Sequence, residues 1–310
     1  MEDSIKQLEY LRTRIERLLI VVIASAIGVG FFSLILFASI GMVQMIVIFP
    51  LLIGIGSGFL LGKLTGYFDA YKEYKHGFKA AFVEVPFRDS FTQVTYDGAK
   101  GFDQEIIGAT GIMTMGNRYY SNDYVQGYYK DVRFERADIK IQQHVSTGKT
   151  SYTITYLHGR WLILEFNKSF HSDLQIIHRD FPSSQKKNSI FTNEEERRHR
   201  IELEDMEFNE LFRILCQDDH EAYYILTPHF MQVLKNLYAT LDGSFMLGFV
   251  NHQLHIAIHN NKDAMEPKLF DNYDLGLIKE EVQKEIDVII DIIDGLSLDR
   301  DIYQIKEEVK

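Results

Sequence analysis

Two uncharged apolar runs stand almost end to end near the start of this chain. Leu18 to Ile40 reads LLIVVIASAIGVGFFSLILFASI, and Met42 to Gly62 reads MVQMIVIFPLLIGIGSGFLLG. Each exceeds the roughly 20 residues a helix needs to cross a hydrocarbon core of about 30 Å. The link around Gly41 is too short for an external domain. The pair therefore predicts a transmembrane helical hairpin over 18–68, with spans at about 18–40 and 42–66 and both chain ends on one side of a lipid bilayer. That side carries Lys6, Arg12, Arg14 and Arg17 before the first span, and Lys63, Lys72, Lys75 and Lys79 at and after the second. The connecting turn has no Lys or Arg, so the positive-inside rule puts both termini in the cytoplasm. A cleaved signal peptide fits less well, because the apolar region is too long and a second span follows at once.

Gly54, Gly58, Gly62 and Gly66 repeat every four residues, which places them in one stripe on a helix. Ala24 and Gly28, then Ala26 and Gly30, echo the pattern in the first span. Small residues at this spacing let helix backbones approach closely in lipid. The plainer reading packs the two spans against each other. The sharper one adds a homo-oligomer assembled through the ladder. A bend is expected at Pro50, where a helix hydrogen bond is lost. Neither span holds an ionisable residue at depth, and Gln44 is the one strongly polar side chain there, so an anchor is expected rather than a transporter or channel.

The formal net charge is −11, and the chain after its first 75 residues holds 26 Lys or Arg against 38 Asp or Glu. An acidic body is a poor partner for nucleic acid, whose phosphates need Lys and Arg. The single cysteine, Cys216, excludes an intramolecular disulfide or a multi-cysteine metal site and reads as a small core residue.

Ile5, Leu8, Leu11 and Ile15 give an amphipathic helix over 1–17 that runs into the first span. Tyr71, Tyr74, Phe78, Phe82 and Val85 repeat the period over a stalk helix, 69–85, ending at Pro86. Alternation starts near Asp131 and marks a β-rich part over 86–181. A turn is expected at His158-Gly159 and buried strands at Trp161–Phe166 and Leu174–Ile177. The tyrosines at 119, 120, 124, 128 and 129 read as sheet packing. Residues 182–200 read as a linker or loop, with Thr192 and Glu195 fitting a capping box. An α+β part follows over 201–310. It contains a helix capped by Thr227 with Pro228 at its first position, a hairpin from Phe245 to Ile258 turning near Asn251, and a helix over Leu277–Leu296.

Chemistry is sparse. The best acid–base group is Asp218, Asp219, His220 and Glu221, with His144 or His158 as a partner; a helix cap explains the acids equally well. His255 and His259 share a strand face about 13 Å apart, too far for one metal. Gly54-Ile55-Gly56-Ser57-Gly58 lacks the Lys and Ser/Thr of a phosphate loop. No catalytic residue, cofactor or metal is assigned beyond the weak candidates Asp218, His220 and Glu221.

Three stretches nevertheless form a pattern. One is Ser121-Asn122-Asp123-Tyr124-Val125-Gln126-Gly127, leading into Asp131-Val132-Arg133-Phe134-Glu135. Another runs from His158-Gly159-Arg160-Trp161 to Glu165-Phe166-Asn167-Lys168-Ser169-Phe170. The third is Leu203-Glu204-Asp205-Met206-Glu207-Phe208, then Phe212, Asp218 and Glu221 through Pro228. In these the chain resembles domain-of-unknown-function family 3137, over roughly residues 70–295. It departs at Met206, where the family tends to have Pro, and at Tyr223, where it tends to have Arg. The resemblance implies a bacterial inner-membrane protein with paired N-terminal spans and a cytoplasmic α+β region. It implies no activity, and it suggests a LemA-type membrane protein as a partner. The expected fold is thus α+β: a transmembrane helical hairpin with a helical stalk, then a cytoplasmic antiparallel-sheet and helix region. The expected role is a non-catalytic, membrane-anchored binding or scaffold module, with a membrane-bound enzyme or small-ligand sensor as the alternative.

Overall fold

The computed structural model describes residues 2–39, 48–148, 150–165, 174–182, 198–250, 253–263, 265–267, 269, 275–296 and 298. The hairpin tip at Gly41 and Gln44, the capping box at Thr192 and Glu195, and the turn near Asn251 lie outside them. The chain divides into two compact units, Met1–Pro86 with Glu266–Lys279, and Phe87–Met265 with Glu280–Lys310.

The first unit is helical. Helix α1 (Glu2–Ser39) runs without interruption through both the amphipathic and the apolar stretch. Leu8, Leu11 and Ile15 are buried against Ala70, Tyr74, Phe78 and Phe82 of the later helix, so the two stripes cover each other. Beyond them α1 leaves Ile20, Ile27, Phe31 and Phe32 exposed, and α2 (Ile48–Leu64) exposes Leu51, Leu52, Ile55 and Phe59. Among the described residues, Lys6–Ser39 is long and apolar enough by itself to cross a membrane. Ile48–Leu64 qualifies only together with Tyr67–Ser90, across a 62° bend.

That bend lies away from Pro50, which stands in the first turn of the described α2, with the residues just before Ile48 outside the described ones. It falls at Gly66, whose φ of 71° is the left-handed conformation that ends a helix and that glycine adopts without Cβ strain. Helix α3 (Tyr67–Lys79) follows, then a π turn (Ala80–Glu84) and α4 (Val85–Ser90). The helix therefore does not stop at Pro86. Proline has no N–H and its ring crowds the carbonyl four residues back. The wider π turn just before it is where the chain absorbs that mismatch.

Among the described residues, the second unit is built on a nine-stranded antiparallel sheet in the order β1-β2-β3-β4-β9-β8-β5-β7-β6. Its strands are β1 (Thr92–Asp97), β2 (Arg118–Tyr129), β3 (Val132–Ser146), β4 (Ser151–Glu165), β5 (Leu174–His178), β6 (His199–Ile201), β7 (Phe212–Cys216), β8 (Ser244–Val250) and β9 (Gln253–His259). Sheet structure thus begins well before Asp131. Lys130 and Asp131, both at positive φ (49° and 65°), close a two-residue hairpin between β2 and β3.

His158-Gly159 is not a turn. β4 passes straight through it, because glycine there permits close approach to β9: a Cβ on Gly159 would overlap the carbonyl oxygen of Ile258. β4 pairs with β9, and β5 lies between β8 and β7. One sheet therefore takes strands from both sides of 182–200, and its core joins Trp161 and Ile177 to Met246 and Ala257. Within that stretch, His199 and Arg200 begin β6 instead of a loop. Short helices α5 (Gln104–Ala109), α6 (Met206–Leu211) and α7 (Asp219–Ile225) punctuate the chain. The longer α8 (Pro228–Thr240) and α9 (Leu275–Gly295) bring apolar stripes to this unit through Phe230, Leu234 and Leu237, and through Val282, Ile286, Ile289 and Ile293.

Candidate functional site

The acidic run resolves into a helix start. Asp218 is the N-cap of α7, and its Oδ1 accepts the backbone N–H groups of His220 (2.7 Å) and Glu221 (3.4 Å). That satisfies donors that a helix start leaves open. Neither expected histidine joins it. His144 lies on β3 beside Thr153, and the His158 N–H on β4 donates to His259 Nδ1. β7, which leads into α7, stands four strands from β4, or about 19 Å at roughly 4.8 Å per strand.

The histidine that does arrive is His199, from β6. Its Nε2 lies 2.5 Å from Asp219 Oδ1. Cys216, at the end of β7, donates its thiol to the same oxygen at 3.5 Å and lies 4.0 Å from His199 Nε2. Burial, then Asp219, pushes the thiol up to about 12, while His199 holds the Asp219 carboxyl below its usual range. A carboxylate beside the thiol opposes the thiolate that nucleophilic attack requires.

A second group of charges is closed. Arg136 on β3 and Arg160 on β4 are buried with Asp138 and with Glu285 of α9. Arg136 Nη2 reaches Asp138 Oδ1 at 2.7 Å and Glu285 Oε2 at 3.2 Å; Arg160 Nη1 reaches Glu285 Oε1 at 2.7 Å. Asp123 and Asp263 add further negative charge nearby. Burial and this surplus of carboxylates push Asp138 up to about 7 despite Arg136, and its Oδ2 finds no hydrogen-bond partner among the described residues. Arg136, surrounded by acids, is held firmly protonated.

Between α8 and α9, above β8 and β9, lies a cavity of about 320 Å³. Val233, Leu234, Leu237, Leu247, Ile256 and Ile292 make it apolar, and Asp291 and Asp294 stand on it from α9. Gly295 lets the helices converge at one end, since a Cβ there would stand 2.8 Å from Val233 Cγ1. Its size falls at the lower end of small-ligand sites. Burial and the neighbouring acids Asp287 and Asp294 push Asp291 up.

The glycine ladder divides. A Cβ on Gly54 would meet Ala26 O at 2.9 Å and Gly30 Cα at 3.3 Å, and one on Gly58 would meet Ala26 Cβ at 3.0 Å. These two lie against α1. Gly62 faces the Phe68 ring, and Gly66, at the helix break, has nothing within 4 Å.

Residues 155–298 match the family described as "Protein of unknown function (DUF3137)". The match spans β4 to the end of α9, and so includes the triad, the cavity and most of the sheet. Met206 and Tyr223, where the resemblance led to an expected departure, are both exposed. No curated protein matches the chain. Among solved structures, the crystal structure of the mycobacterial trehalose monomycolate transport factor A, TtfA, is similar over 69% of this chain and 96% of its own, at 7% identity and a TM-score of 0.36.

Proposed function

We propose that this chain is a membrane-anchored binding module whose cytoplasmic body presents the α8/α9 cavity to an amphipathic, basic segment of a protein partner. The observation that carries this reading is the cavity itself: an apolar floor with Asp291 and Asp294 beside it. An apolar side chain fits the floor, and Lys or Arg on the same segment complements the acids. The anchor is two spans, α1 and α2, with both termini cytoplasmic, in the inner membrane of a bacterium. Support comes from the exposed apolar flanks of both helices, the Lys and Arg residues before α1's apolar stretch and after α2, and the close contacts of Gly54 and Gly58 with α1. Those contacts favour use of the ladder within one chain over a homo-oligomer.

The test is purification of the intact protein from native membranes in mild detergent, beside Asp291→Lys and Leu237→Asp. Both variants should stay in the membrane pellet after alkaline extraction and lose the same stoichiometric protein partner. A partner kept by both variants would place binding elsewhere on the body. A small molecule retained instead of a protein would favour the ligand-sensor alternative.

A further inference from the structure

We propose that His199, Cys216 and Asp219 form a zinc site that fastens the edge strand β6 to β7 and the start of α7. Three donors of different chemistry come from three elements and converge on one point. Thiolate, imidazole and carboxylate are the zinc ligand types. A tetrahedral zinc with bonds of about 2.0 Å to nitrogen and oxygen and about 2.3 Å to sulfur separates its donors by roughly 3.3–3.6 Å. The Cys216 Sγ to Asp219 Oδ1 distance is already 3.5 Å, and Sγ to His199 Nε2 is 4.0 Å. The His199–Asp219 pair, at 2.5 Å, is joined by a hydrogen bond. It must open by about 0.8 Å to admit the ion. Both of those side chains are half exposed, at 51% and 50%, so they have room to move and the ion has a path in.

The proton balance is simple. The Cys216 thiol loses its proton to water, the carboxylate is already ionised, and the imidazole binds through an unprotonated Nε2. One thiolate and one carboxylate then neutralise the dication. A Cys–His nucleophile is the rival use of the same residues. It is the poorer fit, because the thiol points at a carboxylate, with the imidazole farther away.

The intact protein in detergent, stripped with chelator, is titrated with Zn²⁺ by calorimetry and with Co²⁺ by absorption. One ion per chain is expected, with a thiolate-to-cobalt charge-transfer band in the near ultraviolet. Cys216→Ser should abolish the band and weaken zinc at least about 100-fold; His199→Gln and Asp219→Asn should each weaken it at least about tenfold. His144→Gln, on β3, should change neither readout. A wild-type protein with no charge-transfer band overturns the proposal, and so does Cys216→Ser that binds zinc like the wild type. Should Cys216→Ser fail to fold, Asp219→Asn on the exposed side of the cluster decides by the same titration: unchanged affinity rejects the site.

Discussion

The sheet carries one polar cluster toward each end, and the two are built on opposite terms. Under α9, Arg136, Arg160, Asp138 and Glu285 are shut away from water and hold one another. At the β6 edge, His199 and Asp219 stand half in solvent, with Cys216 behind them. Buried charges are costly to leave unpaired, so the inner group is committed to its internal partners. The outer group forfeits little by exchanging a partner, since exposed ion pairs add little to stability. Position in the sheet, more than residue type, decides which cluster is free to bind something else.

The largest break in this comparison should come from Arg136→Met. It leaves Asp138 buried without its cation and Glu285 with Arg160 alone, and should cost roughly 3–5 kcal/mol. Urea unfolding of the full chain in detergent would follow it through the single tryptophan, Trp161, which is fully buried. A loss near zero would mean that water reaches the group.

A finer test uses pH. Asp138, pushed up to about 7, keeps a proton in the folded chain that the unfolded chain releases above about pH 4, so its contribution to stability falls as pH rises through that window. His255, which accepts the Trp161 Nε1–H at 3.2 Å, is pulled down to about 4 by burial. The unfolded chain takes up a proton there below about pH 6.5, so stability falls as pH drops. The two slopes oppose each other between about pH 4 and 6.5. Relative to wild type, Asp138→Asn should therefore tilt the profile toward greater stability at higher pH, and His255→Asn should tilt it the other way. Parallel profiles would show that neither group titrates differently on folding. The smallest effect belongs to the outer cluster: Asp219→Asn without metal should leave the unfolding midpoint essentially where it was.

Much of this was legible in the residues. Apolar period gave α1, α8 and α9, alternation gave the β8–β9 hairpin, and Thr227-Pro228 marked a helix start that the Thr227 side chain caps. The inner cluster was legible in part. Arg136 and Asp138 share strand parity with the buried Val132 and Phe134, which puts charge on a face expected to be apolar. What parity could not supply is the partner, Glu285, from a helix almost 150 residues away. The edge triad was hidden for a similar reason. His199 ends a polar stretch that reads as a loop, and only pairing of β6 with β7 sets it beside Cys216. Gly159 misled in the other direction: glycine after a polar residue signals a turn, but here it serves the contact between two strands.

The strand order also sets a schedule for synthesis. β1 to β4 form a meander, each strand beside the one made just before it. The other side of β4 is completed only by β9, where Gly159 lies beside His259. At about 5–20 residues per second, a growing chain carries that open edge for roughly 5–20 s before its partner exists. An apolar strand left unpaired is a template for wrong pairing. The central seam of the sheet is therefore the place where a newborn copy of this protein is most in need of a chaperone.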